Sequence, residues 1–194
     1  MISIHEYYRK VTHLFSLIIP LIYWFFIPNQ IHASLLVIFF TALFIFFDTF
    51  RKSSTLIKKL FKVFFDKMLR DHEIKGKYTG ATWVMIAASI TIIIFSKNIA
   101  ILSLIFLSIG DTFAGLIGRE YGKIKMGNKT FEGFIAGLIP CLAIAYAFSP
   151  LPFHVSGIGA ITAMLLETLP LPLDDNFRIP IGSALIMTII LASS

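Results

Sequence analysis

From Asn98 to Gly118 the chain reads NIAILSLIFLSIGDTFAGLIG. This run is long and apolar enough to cross a bilayer, which takes about 20 residues, yet it contains Asp111. A carboxylate at membrane depth is costly and marks a functional site unless a structural partner accounts for it. Gly115, Gly118 and Gly122 follow at spacings of four, three and four, on the helical face that carries Asp111. That face forms a closely approachable groove leading from the carboxylate to a basic loop, a place for an anion to dock.

The composition of the 194 residues agrees with a membrane protein. Hydrophobic residues make up 57% and charged ones 14%, with a mean hydropathy of +0.83, far from the averages of soluble domains. No nucleic-acid partner is expected. The pattern predicts an all-α integral membrane protein, a single domain over 1–194, with seven spans at about 11–27, 31–50, 79–95, 98–118, 130–148, 155–169 and 177–192. The first span lacks a small-residue cleavage site, so no removed signal peptide is expected. Cys141, alone in an apolar span, reads as a packing residue.

Charge sets the expected topology. Sixteen of the 17 Lys and Arg fall before the first span, between Arg51 and Lys77, between Arg119 and Lys129, or at Arg178, and only Lys97 falls on the other side. The positive-inside rule then places the N-terminus in the cytoplasm. The 11 acids crowd the same side, which that rule does not explain. A transporter needs ionisable groups near the midplane and a route to both faces, so the asymmetry favours a reaction centre facing the cytoplasm. A basic amphipathic helix is predicted over about 53–70, lying on the membrane surface. It reads as a holder of anionic headgroups or a border to a lipid entrance.

Four constellations carry the chemistry. Glu6, Arg9, Lys10 and His13 share one helical face at the start of the first span; interface anchoring explains the charges, less so His13. Arg70, His72 and Glu73 precede Thr79-Gly80-Ala81-Thr82, where a loop and a helix cap suffice. The third block is Gly110, Asp111 and Thr112 with Gly115, Gly118, Arg119, Gly122, Lys123, Lys125, Asn128, Lys129, Glu132 and Gly133. Its glycines admit phosphates to backbone amides and its bases neutralise them, or the glycines form a small-residue packing seam. Gly122 to Thr130 nearly spells a Walker A loop, but the extra Asn128 and the preceding membrane helix exclude a true one. The fourth block holds Glu167, Asp174, Asp175 and Asn176; one aspartate is expected to cap a helix.

Magnesium, or another divalent cation, fits this set, since it takes one or two carboxylates plus phosphate oxygens. Asp111, Asp174 and Asp175 are the expected donors. Lys129, Arg119 and neighbouring lysines would meet the phosphates of a nucleoside triphosphate. Phosphoryl transfer needs little beyond such positioning and charge neutralisation. The acceptor is then a lipid hydroxyl near His13 and Asp48, its proton taken by a carboxylate or by His13.

The blocks Glu6-x-x-Arg9-Lys10-x-x-His13, Leu69-Arg70-x-His72-Glu73 with Thr79 to Thr82, Gly110 to Gly133, and Leu169-Pro170-Leu171-Pro172-x-Asp174-Asp175-Asn176 stand in that order. Together they resemble the CTP-dependent lipid-alcohol kinase family that includes dolichol kinase, phytol kinase and the fungal-type diacylglycerol kinase. The resemblance implies transfer of the γ-phosphoryl group of CTP, from the cytosol, to a lipid alcohol in the bilayer. It also implies that activity depends on Arg9, Lys10, Asp111 and the run Gly115 to Gly133. The preference for CTP rests on the resemblance alone. The chain lacks the extra membrane region of long dolichol kinases, which leaves the compact diacylglycerol and polyprenol types.

Two other readings compete. A phosphatidate cytidylyltransferase also uses CTP and magnesium but releases pyrophosphate, and the Asp174-Asp175-Asn176 block fits the kinase better. A transporter or lipid-binding scaffold would make Asp111 an ion relay and the glycines a seam. The glycine face can pack within one chain or between two, so an oligomer is compatible with the sequence.

Overall fold

A computed structural model describes residues 4–51, 73, 77–148 and 150–193. The amphipathic segment expected at 53–70, and with it Arg70 and His72, lies outside the described residues. The elements run α1 (Ile4–Phe15), α2 (Ile18–Phe25), α3 (Gln30–Phe50), α4 (Gly80–Ile94), α5 (Lys97–Tyr121), β1 (Lys125–Met126), β2 (Lys129–Thr130), α6 (Phe131–Ala147), α7 (Phe153–Thr168) and α8 (Asp175–Ser193). Helices lie over the expected segments with boundaries shifted by a few residues, and among the described residues α3, α5 and α8 are long and apolar enough to cross a bilayer.

One expectation changes. The segment 11–27 is not one helix but the end of α1 and all of α2. Pro20 has no N–H for the carbonyl of Ser16 and its ring crowds that position. The chain tightens there, with Ser16, Leu17 and Ile19 donating to carbonyls three residues back. The all-helical expectation stands, with one small hairpin added, in which β1 and β2 pair antiparallel with Met126 opposite Lys129. Among the described residues only Gly127 has a positive φ, +61°, so the two-residue turn is of the type that needs glycine at its first central position.

Helix α5 is the axis of the molecule. Of its most apolar 18-residue window 78% is buried, against 17% for α3. An element so enclosed is apolar all round, as its sequence is. Around α5 pack α1, α2, α4, α6, α7 and α8, while α3 rests on α4. Thr41 fixes that pair, donating to the carbonyl of Met85 at 3.0 Å and meeting Ser89 Oγ at 2.7 Å. The outer face of α3 exposes Leu35, Phe39 and Phe46, a surface suited to hydrocarbon rather than water.

The seam between α5 and α6 is built from small residues. A Cβ on Gly137 would stand 2.7 Å from the carbonyl oxygen of Gly110, and one on Gly133 would stand 2.8 Å from that of Ala114. Backbone oxygens cannot retreat without separating the helices. Cys141 is fully buried beside this seam.

Gly137→Ala is therefore expected to lower stability by about 1–3 kcal/mol through overpacking. Gly157→Ala, whose Cβ would find ordinary contacts at 3.5 Å, should change it by no more than about 0.5 kcal/mol. Thermal unfolding in detergent measures both.

Candidate active site

Asp111 lies in the middle of α5, 8% exposed, and its partners come from α1. Lys10 Nζ donates to Asp111 Oδ2 at 2.7 Å and to the Asp111 carbonyl at 2.7 Å. One turn further along α1, His13 Nε2 stands 3.1 Å from the same carboxylate oxygen. The sequence reason for this reach is Gly115, one turn past Asp111 on α5. A Cβ there would stand 2.5 Å from Lys10 Nζ, so only glycine leaves a channel for the lysine.

Helices α7 and α8 bring two more acids to the same point. Glu167, in the last turn of α7, is 1% exposed, and Asp175 opens α8. Oxygens of Asp111, Glu167 and Asp175 all lie within 4.8 Å of one another. Carboxylates this close in a low-dielectric place repel one another unless cations stand among them. Lys129, the last-but-one residue of the hairpin, is one such cation: its Nζ donates to Glu167 Oε1 at 2.5 Å and to Asp175 Oδ2 at 3.0 Å. Burial disfavours its charge, but Asp111, Glu167 and Asp175 together carry its pKa above the ordinary lysine value. Arg178 is the third, donating to Asp175 Oδ1 and to the Glu167 carbonyl. Three carboxylate oxygens in one cluster form the donor set that a hard divalent cation takes.

The two adjacent aspartates thus divide their work. Asp174 stays outside the helix, where its Oδ1 accepts from Asn176 N at 3.0 Å and its carbonyl accepts from Phe177 and Arg178. Asp175 is the one that enters the carboxylate cluster, together with Glu167.

At the mouth, buried Glu6 joins Arg9 at 2.5 Å and Arg119 at 3.2 Å, tying α1 to the end of α5. Arg119 is exposed beside it, and Lys123 and Lys125 are exposed on the loop and hairpin that follow α5. Several other candidates have structural partners. Thr112 donates within its own helix to Ser108, and Glu132 accepts from Ile124 N at 3.2 Å, closing the hairpin loop. The Cβ positions of Gly110, Gly115, Gly118, Gly122 and Gly133 are all met by protein atoms, which makes them packing glycines. Gly127 is open, and Asn128 is exposed next to it at the hairpin tip.

A second polar hub adjoins the first. Asp48, 1% exposed at the end of α3, accepts from Thr79 N at 2.7 Å, Thr79 Oγ1 at 3.0 Å and Thr82 Oγ1 at 2.7 Å. Arg51 faces it at 2.6 Å and donates to the carbonyls of Glu73 and Lys77. Glu73 Oε1 accepts from Gly80 N at 2.7 Å, and Asn176 Nδ2 donates to the Gly80 carbonyl at 3.3 Å. Arg51 escaped the sequence reading, although an Arg three residues after an acid at a helix end is a legible pair.

Between these hubs opens a cavity of about 850 Å³. Its polar end holds Lys10, His13, Glu73, Asp111 and Asn176, and the rest is an apolar slot between α2 on one side and α3 with α4 on the other. The slot exists because α2 packs on α5 while α3 packs on α4, leaving a wedge. Its lip carries exposed apolar side chains, among them Ile18, Leu36, Phe40 and Phe44.

The chain is 30% identical to an uncharacterized protein of Rickettsia prowazekii, over 93% of this chain and 92% of that one. It is 32% identical to the CTP-dependent diacylglycerol kinase 1 of Eremothecium gossypii over 60% of this chain and 46% of the kinase. A probable chloroplastic phytol kinase of Triticum aestivum is 28% identical over 92% of this chain. The relatives named as kinases support a likeness of this chain to the CTP-dependent lipid kinase family. The chain spans 46% of the length of the Eremothecium gossypii kinase and 65% of that of the wheat phytol kinase. No protein-family profile matches the chain, and no solved structure matches it significantly.

Lys129→Met removes one cation from three neighbouring carboxylates. It is expected to destabilise the protein by about 3 kcal/mol, the scale for breaking a buried ion pair. Because the folded pKa of Lys129 is raised, its contribution is complete below the ordinary lysine range and is lost only as the pH rises through the folded value. The difference between variant and wild type should therefore be flat across neutral pH in thermal unfolding. Gly115→Ala, which pushes against Lys10, is expected to cost more activity than stability.

Proposed function

We propose that this protein is a kinase that transfers the γ-phosphoryl group of CTP to the hydroxyl of a membrane lipid alcohol, of the diacylglycerol or polyprenol type. One observation carries the reading: the cavity that ends at Asp111 and His13 is otherwise an apolar slot. A carboxylate and lysine cluster suited to phosphates and a chamber suited to hydrocarbon are thus continuous. The kinase names of the relatives support it, and they alone support the choice of CTP.

The chain's own residues supply positioning and charge. Arg9 and Arg119 flank Glu6, and with the exposed Lys123 and Lys125 they would offer positive charge to a triphosphate on the aqueous side. Asp111, Glu167 and Asp175 would hold a divalent cation such as Mg²⁺, which would neutralise phosphate oxygens when bound. Lys129, on a flexible stem beside the same carboxylates, would bind the transferring phosphoryl group. The lipid oxygen forms the new bond to the γ-phosphorus as the bond to CDP breaks. Its proton goes to the Asp111 carboxylate or His13 Nε2, which share the polar end of the slot. Lys10 holds Asp111 in place from the far side. The second hub sets the wall where Glu73 and Asn176 face the headgroup.

The reading takes the chain as one polytopic domain of seven spans, counting α1 with α2 as one. It places the N-terminus and the charged end in the cytoplasm. The basic residues around α1, Arg119 to Lys129 and Arg178 support that orientation.

The purified protein, given CTP and Mg²⁺ with diacylglycerol, phytol, geranylgeraniol or a long polyprenol, is expected to yield a lipid monophosphate and CDP by mass spectrometry. Asp111→Asn, Glu167→Gln and Asp175→Asn should each lower kcat at least about 100-fold, the scale for losing one preorganised electrostatic partner. A CDP-lipid and pyrophosphate formed from phosphatidate, with no alcohol phosphorylated, would instead establish the cytidylyltransferase.

A further inference from the structure

The slot has a closed end. Tyr23 of α2, Ile27, Ala33 of α3 and Ile92 of α4 line it where it lies farthest from Asp111. Fourteen residues separate Ala33 from Phe47 on α3, and as many separate Lys97 from Asp111 on α5. Both give a depth of about 21 Å at ~1.5 Å per residue, well short of a ~30 Å hydrocarbon core. A hydrocarbon chain entering from the Asp111 end meets a wall before it has crossed the bilayer.

That wall is clasped from behind. Gln30 Nε2 donates to the carbonyls of Ile92 at 2.8 Å and Phe95 at 3.1 Å, fastening the start of α3 to the end of α4. Lys97 Nζ donates to the Ile27 carbonyl at 2.8 Å and stands 5.1 Å from the centre of the Tyr23 ring. Trp24, the next residue, meets Phe148 edge to face at 4.5 Å. Tyr23 is 1% exposed, yet its hydroxyl has no hydrogen-bond partner among the described residues. The phenol is thus held by its ring, with no bond at its oxygen, and what it contributes at that place is bulk.

We infer that Tyr23 is the floor of the acceptor slot and sets the length of hydrocarbon chain that the protein accepts. The inference rests on the lipid-alcohol reading for the identity of the occupant. Each methylene added to a chain is buried until the end reaches the ring. Beyond that length the chain must fold back or lift its hydroxyl from the polar end, and turnover falls.

The test compares wild type with Tyr23→Ala, Tyr23→Phe and Ala33→Leu on alcohols of graded chain length, reading kcat/KM against length. Tyr23→Ala deepens the slot and is expected to move the optimum several carbons longer, relaxing discrimination against the first chain too long by about ten-fold. Ala33→Leu fills the same end and should move it shorter, which protects the test if the larger truncation unfolds. Tyr23→Phe should leave the optimum where it is. In parallel, a long-chain alcohol with a diazirine on its last carbon is photolysed in each protein, and attachment is expected at Tyr23, Ile27 or Ala33. Turnover with an optimum unmoved in both Tyr23→Ala and Ala33→Leu would overturn the floor and leave the kinase standing. Attachment at the floor, moved by the substitutions but without phosphoryl transfer to any alcohol, would sustain the floor and overturn the kinase. Attachment elsewhere in wild type would also overturn the floor.

Discussion

Three carboxylates from three helices meet within 4.8 Å where little water reaches, and this crowding constrains the whole charged end. Unbalanced, it would force one acid to take up a proton or the helices to part. Lys10, Lys129 and Arg178 relieve it from three directions, and each requires a local device in the chain. Lys10 needs the missing side chain of Gly115; Lys129 needs a hairpin that turns on Gly127; Arg178 needs α8 to begin at Asp175, three residues before it. The balance explains why short elements of little intrinsic stability, such as a hairpin of two-residue strands, have a fixed place in the fold.

The same balance links architecture to chemistry. A cluster satisfied by lysines is one in which positive charge can be exchanged, since a cation on a flexible stem is a point charge with rotatable donors. The neighbouring hub is different in kind. Asp48 Oδ2 accepts three hydrogen bonds from Thr79 and Thr82 while Oδ1 faces Arg51, so the carboxylate is held between rigid partners. On the proposed reading one cluster would serve as the reaction centre and the other as a brace, although both are buried acids beside bases.

Much of this was legible in the sequence for a definite reason. Asp111 stands out because its neighbours are apolar, and the helices stand out because their apolar runs are long and bounded by Asn29, Thr79 and Thr130, each of which caps a helix. The proximity of Glu167 and Lys129 to Asp111 was not legible, since it arises from helix packing between distant segments. The Asp174-Asp175 pair reads as symmetric until the start of α8 makes one residue a cap and the other a helical residue facing inward. The break at Ser16 was legible in Pro20 and was overridden by hydropathy. The slot leaves no mark in the sequence, because its walls come from three apolar segments that look like ordinary spans.

The lip of that slot is lined by exposed apolar residues of α2 and α3 rather than by polar ones. A molecule reaching Asp111 by this route slides sideways from the lipid and never dissolves in water. The quantity that governs its arrival is then its mole fraction among neighbouring lipids, a two-dimensional concentration, whereas the partner arriving at Arg9 and Arg119 obeys an ordinary bulk one. A single site thus reads the composition of two phases at once.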